Sequence, residues 1–186
     1  HRWDEAVLSS ETLITLDQLV QSSVVSELGA SNFSLEQMEQ VLETQKLLQL
    51  KNFRFAQNNH NYAVRDYTPV YHKFCSDHQI DMITYSPLGA GFLTGKHQQQ
   101  VQSGSRFELI PGHQDIYFNE VAERRLQRLL SVAERSGYSP VQLALAWAFR
   151  EPASMVLAGG RTTNHLDQAL SALVFNDEAV LRELED

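Results

Sequence analysis

The 186 residues include one cysteine, three methionines and no surplus of positive charge. Cys75 has no second cysteine to pair with, and this usage fits a reducing cytoplasm better than a secreted setting. Fifteen Lys and Arg stand against 23 Asp and Glu, a formal charge of −8. No basic stripe offsets it, which argues against a nucleic-acid partner held through its phosphates. No apolar run approaches the roughly 18 residues that would span a bilayer, and no signal-peptide pattern opens the chain. Residue 1 is His, followed directly by Arg2-Trp3-Asp4, and this start is expected to be a cut in a longer chain. No His-Glu-x-x-His or paired-cysteine spacing is present, so no metal is expected. His72, His78, His97 and His113 are expected on the surface. No Gly-x-Ser-x-Gly elbow occurs either.

What remains is an ordinary globular composition, 42% hydrophobic and 20% charged, of a length that suits one domain with a real core. Apolar residues recur at helical spacing over 10–22, 34–48 and 119–136. Ser34 and Gln37 have the spacing of a capping box, and Gly137 is a natural helix stop. A helix is expected after Pro69 with Val70, Phe74 and Cys75 inward. Another should start at Ser139-Pro140 and run to Arg150, followed by helices near 163–173 and 177–185. Strand character marks Val24–Leu28, Phe53–Ala56, Asp81–Tyr85 and Met155–Ala158.

Strand and helix alternate, which argues for an α/β fold with a parallel sheet and helical crossovers. Ser31, Gln57 and Tyr85 close successive strands at spacings of 26 and 28 residues. Both a doubly wound sheet and a barrel fit alternation, and the regular spacing favours the barrel. A complete barrel needs eight strands and typically about 250 residues. Four strands, with the end of a fifth at His1, amount to half of one. Residues 89–118 form a long excursion, and such loops are commonly functional or without fixed structure.

Four segments can carry chemistry. Gly29-Ala30-Ser31-Asn32-Phe33-Ser34 either holds a ligand amide or simply caps a helix. Gln57-Asn58-Asn59-His60-Asn61 supplies either binding groups or internal partners for loop backbone. Tyr85 to Lys96 offers a flat ring, then glycines, then a cation, a set that can cradle a phosphate. It is not a Walker loop, because Ala90 and His97 occupy its first Gly and its Ser/Thr positions, and Thr94 breaks a Rossmann fingerprint. Gly159-Gly160-Arg161-Thr162-Thr163 opens a helix, where backbone N–H groups and Arg161 suit an anion. The alternative there is a plain Thr cap beside a solvated Arg.

Taken in order, with His1-Arg2-Trp3-Asp4 at their head, these segments resemble the aldo-keto reductase family over essentially the whole chain. They are similar to its group of bacterial reductases and potassium-channel β-subunits. The resemblance implies a single domain over 1–186 forming the C-terminal half of a (β/α)8 TIM barrel. It implies NADP(H) as cofactor and reduction of aldehydes or ketones to alcohols. Ser31, Asn32 and Gln57 would bind the nicotinamide carboxamide and Tyr85 would stack on the ring. Ser86, Leu88, Gly89 and Lys96 would hold the pyrophosphate, with Arg106 near the adenine. Gly159, Arg161, His165 and Gln168 would line the 2′-phosphate and adenine pocket. His1 would be the catalytic histidine that orients the carbonyl. The family's Asp, Tyr and Lys lie upstream of His1, so the 186 residues alone are expected to be inactive. The alternatives are a non-catalytic NADPH-binding regulatory subunit and an inactive half barrel. The chain departs from the family at Ser22-Ser23-Val24, at His60 and at Gln168-Ala169.

Overall fold

The computed structural model describes residues 1–98 and 100–185. Its strands are β1 (Gly29–Ser31), β2 (Phe55–Asn59), β3 (Asp81–Tyr85) and β4 (Met155–Leu157). They follow chain order in one sheet, and β1 pairs with β2 in parallel. The helices are α1 (Ser10–Gln21), α2 (Leu35–Leu47), α3 (Pro69–Asp77), α4 (Arg106–Leu109), α5 (Gly112–Tyr117), α6 (Glu120–Ser136), α7 (Pro140–Arg150), α8 (Thr163–Leu173) and α9 (Glu178–Arg182). Helices join β1 to β2 and β2 to β3, as parallel strands require. The result is the expected α/β fold, consistent with part of a (β/α)8 barrel. No described helix is long and apolar enough to cross a membrane.

Local chemistry sets the helix ends. Ser34 Oγ accepts the Gln37 N–H while Gln37 Oε1 accepts the Ser34 N–H, so the capping box is complete. Ser139 caps α7 through the Gln142 N–H, and Pro140 follows at the first turn. Gly137 ends α6 in the left-handed region at φ 79°, a conformation that favours glycine.

The chain divides into two compact units. One comprises residues 1–58 with 66–83. Its core is built from Leu13, Phe33, Met38, Val41, Ala56, Tyr71 and Cys75. Gln45 is also buried here, and its Oε1 accepts the Phe53 N–H just ahead of β2. The other comprises residues 59–65 and those from Thr84 onward. Its core collects Tyr62, Phe92, Leu93, Phe107, Tyr117, Leu126, Leu129, Leu143 and Trp147.

Several expectations fail for identifiable reasons. Val24–Leu28 is not a strand; the strand begins at Gly29, and Val24 is exposed. Residues 1–4 form no strand. On α3 the inward face carries Tyr71 and Cys75 while Val70 is exposed. On α6, Ala122 is buried and Val121 exposed. Cys75 on α3, and Leu126, Leu129 and Val132 on α6, are buried as the helical spacing expects, so the misses are Val70 and Val121, each in the first turn of its helix. The excursion after β3 is structured: Phe92, Leu93, Phe107 and Tyr117 are among the most buried residues of the chain.

Candidate functional site

The amide-rich segments meet where the β1–β2 ladder ends: Ser31 closes β1 as expected, but Gln57 is the middle residue of β2, which runs on to Asn59. Ser31 lies opposite Gln57 in the parallel ladder, and the Asn32 N–H is donated to the Gln57 carbonyl at 2.9 Å. Asn32 adopts φ 59°, a conformation Asn tolerates better than most residues. Its Nδ2 reaches both Ser31 Oγ, at 3.1 Å, and the His1 backbone carbonyl, at 3.0 Å. Gln57 Nε2 lies 3.5 Å from the same Ser31 oxygen. The Ser31 hydroxyl thus accepts from two amides and keeps its own proton to donate, while Gln57 retains a carbonyl oxygen as acceptor. His1, Ser31, Asn32 and Gln57 are therefore one cluster. Asn32 contacts His1 through the backbone, and the His1 residue is exposed.

The other amides of residues 57–61 serve the fold. Asn58 Nδ2 is donated to the Phe33 carbonyl at 2.8 Å. Asn61 Oδ1 accepts the N–H groups of Ala63 and Val64, both at 3.0 Å. The Tyr117 hydroxyl is donated to Asn59 Oδ1 at 3.1 Å and accepts from Asn61 Nδ2 at 3.3 Å. His60 is buried, pairs with Glu151 at 3.2 Å and stacks on Trp147. Asn58, Asn59, His60 and Asn61 thus fit the internal reading of this segment, and Gln57 reaches Ser31 instead.

Two buried phenols of the first unit are structural as well. The Tyr67 hydroxyl is donated to the carbonyls of Ala56 and Ile83, and that of Tyr71 to the Phe33 carbonyl. Burial pushes both phenols far above their ordinary range, which keeps them protonated and unsuited to proton transfer.

The glycine loop leaves β3 at Tyr85, which is half-buried. Ser86, Gly89, Ala90 and Gly91 all have positive φ, so the chain coils tightly. Gly89 donates its N–H to the Ser86 carbonyl at 2.8 Å, and Gly91 donates to Leu88 at 3.0 Å. A Cβ at Gly89 would lie 2.8 Å from the Tyr117 ring. A Cβ at Gly91 would lie 3.4 Å from Lys96 Nζ, so the exposed Lys96 side chain curls back over the loop. Arg106, the first residue of α4, is exposed. His97, expected on the surface, is instead 4% exposed. Its packing against Phe107 is a tertiary contact that no local pattern announces.

After β4, the chain turns through Gly159-Gly160-Arg161 to α8, whose N-cap Thr162 accepts the His165 N–H. The Arg161 N–H is donated to His165 Nδ1 at 3.2 Å. A Cβ at Gly160 would lie 2.5 Å from His165 Cβ, so glycine is required for this close approach. Gly159, Arg161, His165 and Gln168 are all exposed. The Thr162 cap beside an exposed Arg161 is what the plain reading of this segment expects. Among the described residues, no group of three His, Cys, Asp or Glu could hold a metal ion.

A profile of the Aldo/keto reductase family matches residues 1–183. The chain belongs to this family. It is 26% identical to "Aldo-keto reductase dtxS3" of Metarhizium robertsii, covering 99% of the chain and 50% of that protein. It is 29% identical to "Aldo-keto reductase AMT2" of Alternaria alternata, covering 100% of the chain and 50% of that protein. It is also 25% identical to the "Probable voltage-gated potassium channel subunit beta" of Arabidopsis thaliana, over 93% of the chain and 54% of that protein. The chain thus spans about half the length of the curated relatives it matches.

Proposed function

We propose that this aldo/keto reductase chain supplies NADP(H)-binding residues for an oxidoreductase that converts aldehydes or ketones to alcohols. The observation that carries this reading is the Ser31–Gln57 pair with Asn32 beside it. A hydroxyl proton and an amide carbonyl, side by side where the β1–β2 ladder ends, complement the acceptor and donors of a carboxamide. Sites at the C-terminal ends of parallel strands are the rule in this architecture.

On the same reading Tyr85 would stack on the nicotinamide, and Ser86, Leu88, Gly89 and Lys96 would hold the pyrophosphate. The coiled, glycine-rich backbone and the ammonium folded over it suit that anion. Arg106, Gly159, Arg161, His165 and Gln168 would take the adenosine end, with Arg161 as the cation that favours a 2′-phosphate. When bound, the reduced dinucleotide supplies the hydride that a carbonyl substrate accepts. His1 would orient the carbonyl by donating a hydrogen bond to its oxygen.

A second reading, a subunit that binds NADPH without turning it over, is supported by the relatives named as potassium-channel β-subunits. Two assays on the full-length protein separate the readings: NADPH binding by calorimetry, and carbonyl-dependent loss of NADPH absorbance. Binding with turnover supports the reductase; binding without it supports the second reading. Absence of binding contradicts both.

A further inference from the structure

Gln102 organises the far end of the glycine loop. Its backbone N–H is donated to His97 Nδ1 at 3.2 Å, and its side-chain amide to the Lys96 carbonyl at 3.1 Å. Phe107 meets the imidazole edge to face, with ring centroids 4.9 Å apart. The ring is therefore held in one orientation. Because Nδ1 accepts a hydrogen bond, the neutral ring carries its proton on Nε2.

That Nε2 is fully buried and has no hydrogen-bond partner among the described residues. An orphaned buried donor is costly and calls for an explanation. Its position supplies one. A Cβ built on Gly91 would lie 3.7 Å from Nε2 and 3.4 Å from Lys96 Nζ. Two donors, one of them charged, thus lie beside the same glycine. Ammonium and imidazole N–H cannot satisfy each other, but an oxyanion can satisfy both. The exposed Lys96 side chain is the movable member and the imidazole the fixed one. A lowered His97 pKa, caused by burial and then by Lys96, agrees with a neutral ring that donates.

We propose that His97 Nε2–H is a second anion-binding donor beside Lys96, directed at an oxygen of a phosphoric anhydride. The inference rests on the reading of Lys96 as a pyrophosphate ligand, and it adds a residue to that site. The incoming oxygen would take the place of the Lys96 side chain over Gly91 and accept from Nε2.

The test uses inorganic pyrophosphate and the isotopically labelled chain. Long-range proton–nitrogen correlations should show the Nε2-protonated tautomer of His97 before titration. They should then show a saturable shift of Nε2 and its proton on adding pyrophosphate. His97→Phe preserves a ring against Phe107 and removes the donor; its Kd for pyrophosphate should rise roughly tenfold. His97→Gln, which restores an N–H, should recover part of the loss. Equal binding by His97→Phe with no Nε2 shift in the wild-type chain overturns the His97 assignment and leaves the cofactor reading standing. If the wild-type chain binds neither pyrophosphate nor NADPH, and Lys96→Gln behaves identically, the cofactor reading fails and this inference with it.

Discussion

Ser31 and Gln57 are partners twice over: their backbones pair in the ladder between β1 and β2, and Gln57 Nε2 lies 3.5 Å from Ser31 Oγ. Replacing Gln57 with the similarly sized Leu removes the acceptor and one of the two amides that orient the hydroxyl. NADPH affinity should fall roughly tenfold, about 1–1.5 kcal/mol, with the fold retained. Calorimetry on Gln57→Leu checks this, and an unchanged Kd would remove Gln57 from the site.

Arg161 is the cation assigned to the 2′-phosphate. Arg161→Met should weaken NADPH by about 1.5–3 kcal/mol, the range for hydrogen bonds to charged groups, and leave NADH nearly unaffected. Parallel titrations with the two dinucleotides measure the difference. Equal losses for both would place Arg161 elsewhere in function.

Gly29 begins β1 where a Cβ would lie 2.8 Å from both Phe55 Cβ and the Phe55 carbonyl oxygen. Much of the obstruction is backbone and cannot swing away. Gly29→Ala should destabilise the chain by about 1–3 kcal/mol, as overpacking does. Denaturant unfolding at constant m-value reads the change, and an unaltered midpoint would show that β1 can move away from β2.

Cys75 is buried in the core of the first unit, and burial pushes its thiol up to about 11. The thiolate is the reactive form, so a thiol reagent at pH 8 should react slowly with the native chain and rapidly after denaturation. The raised value also has a sign in stability. Between the ordinary thiol value and 11 the folded chain binds more protons than the unfolded one, so this contribution declines as pH rises through that window. Fast native-state labelling at pH 8 would contradict the packing around α3.

His97 titrates in the opposite sense. Its pKa is lowered, first by burial and then by Lys96. Just below the ordinary value the unfolded chain therefore binds more protons than the folded one. Stability should fall as pH drops below about 6.5, and His97→Phe should reduce that dependence. Unfolding midpoints across pH 5–8 test it; parallel curves for wild type and variant would show that other groups govern the acid side.

Local signals served well where the chain's own chemistry decides. Ser34, Gln37, Ser139, Pro140 and Gly137 act within four residues of themselves, and the ends of α2, α6 and α7 follow from them. The Asp81–Tyr85 strand also matches residue for residue. The misses share another cause. Val24 to Leu28 has strand composition, yet the strand that pairs with β2 starts at Gly29, a choice made by the partner strand. Val70 and Val121 sit in the first turns of α3 and α6, and there packing buries the neighbouring Tyr71 and Ala122 instead, while Cys75, Leu126, Leu129 and Val132 are buried as their spacing expects. The amides of 57–61 look alike in sequence, and their hydrogen bonds divide them: Gln57 reaches Ser31 across the ladder, while Asn58 and Asn61 bond backbone groups. His97 shows the same limit most clearly, since its burial comes from Phe107, ten residues away.

The central claim is that this chain holds NADP(H), and Trp3 and Trp147 provide an intrinsic signal. Tryptophan fluorescence should be quenched saturably by NADPH, with weaker binding of NADH. No saturable change with either dinucleotide, in a chain shown to be folded, would contradict the account.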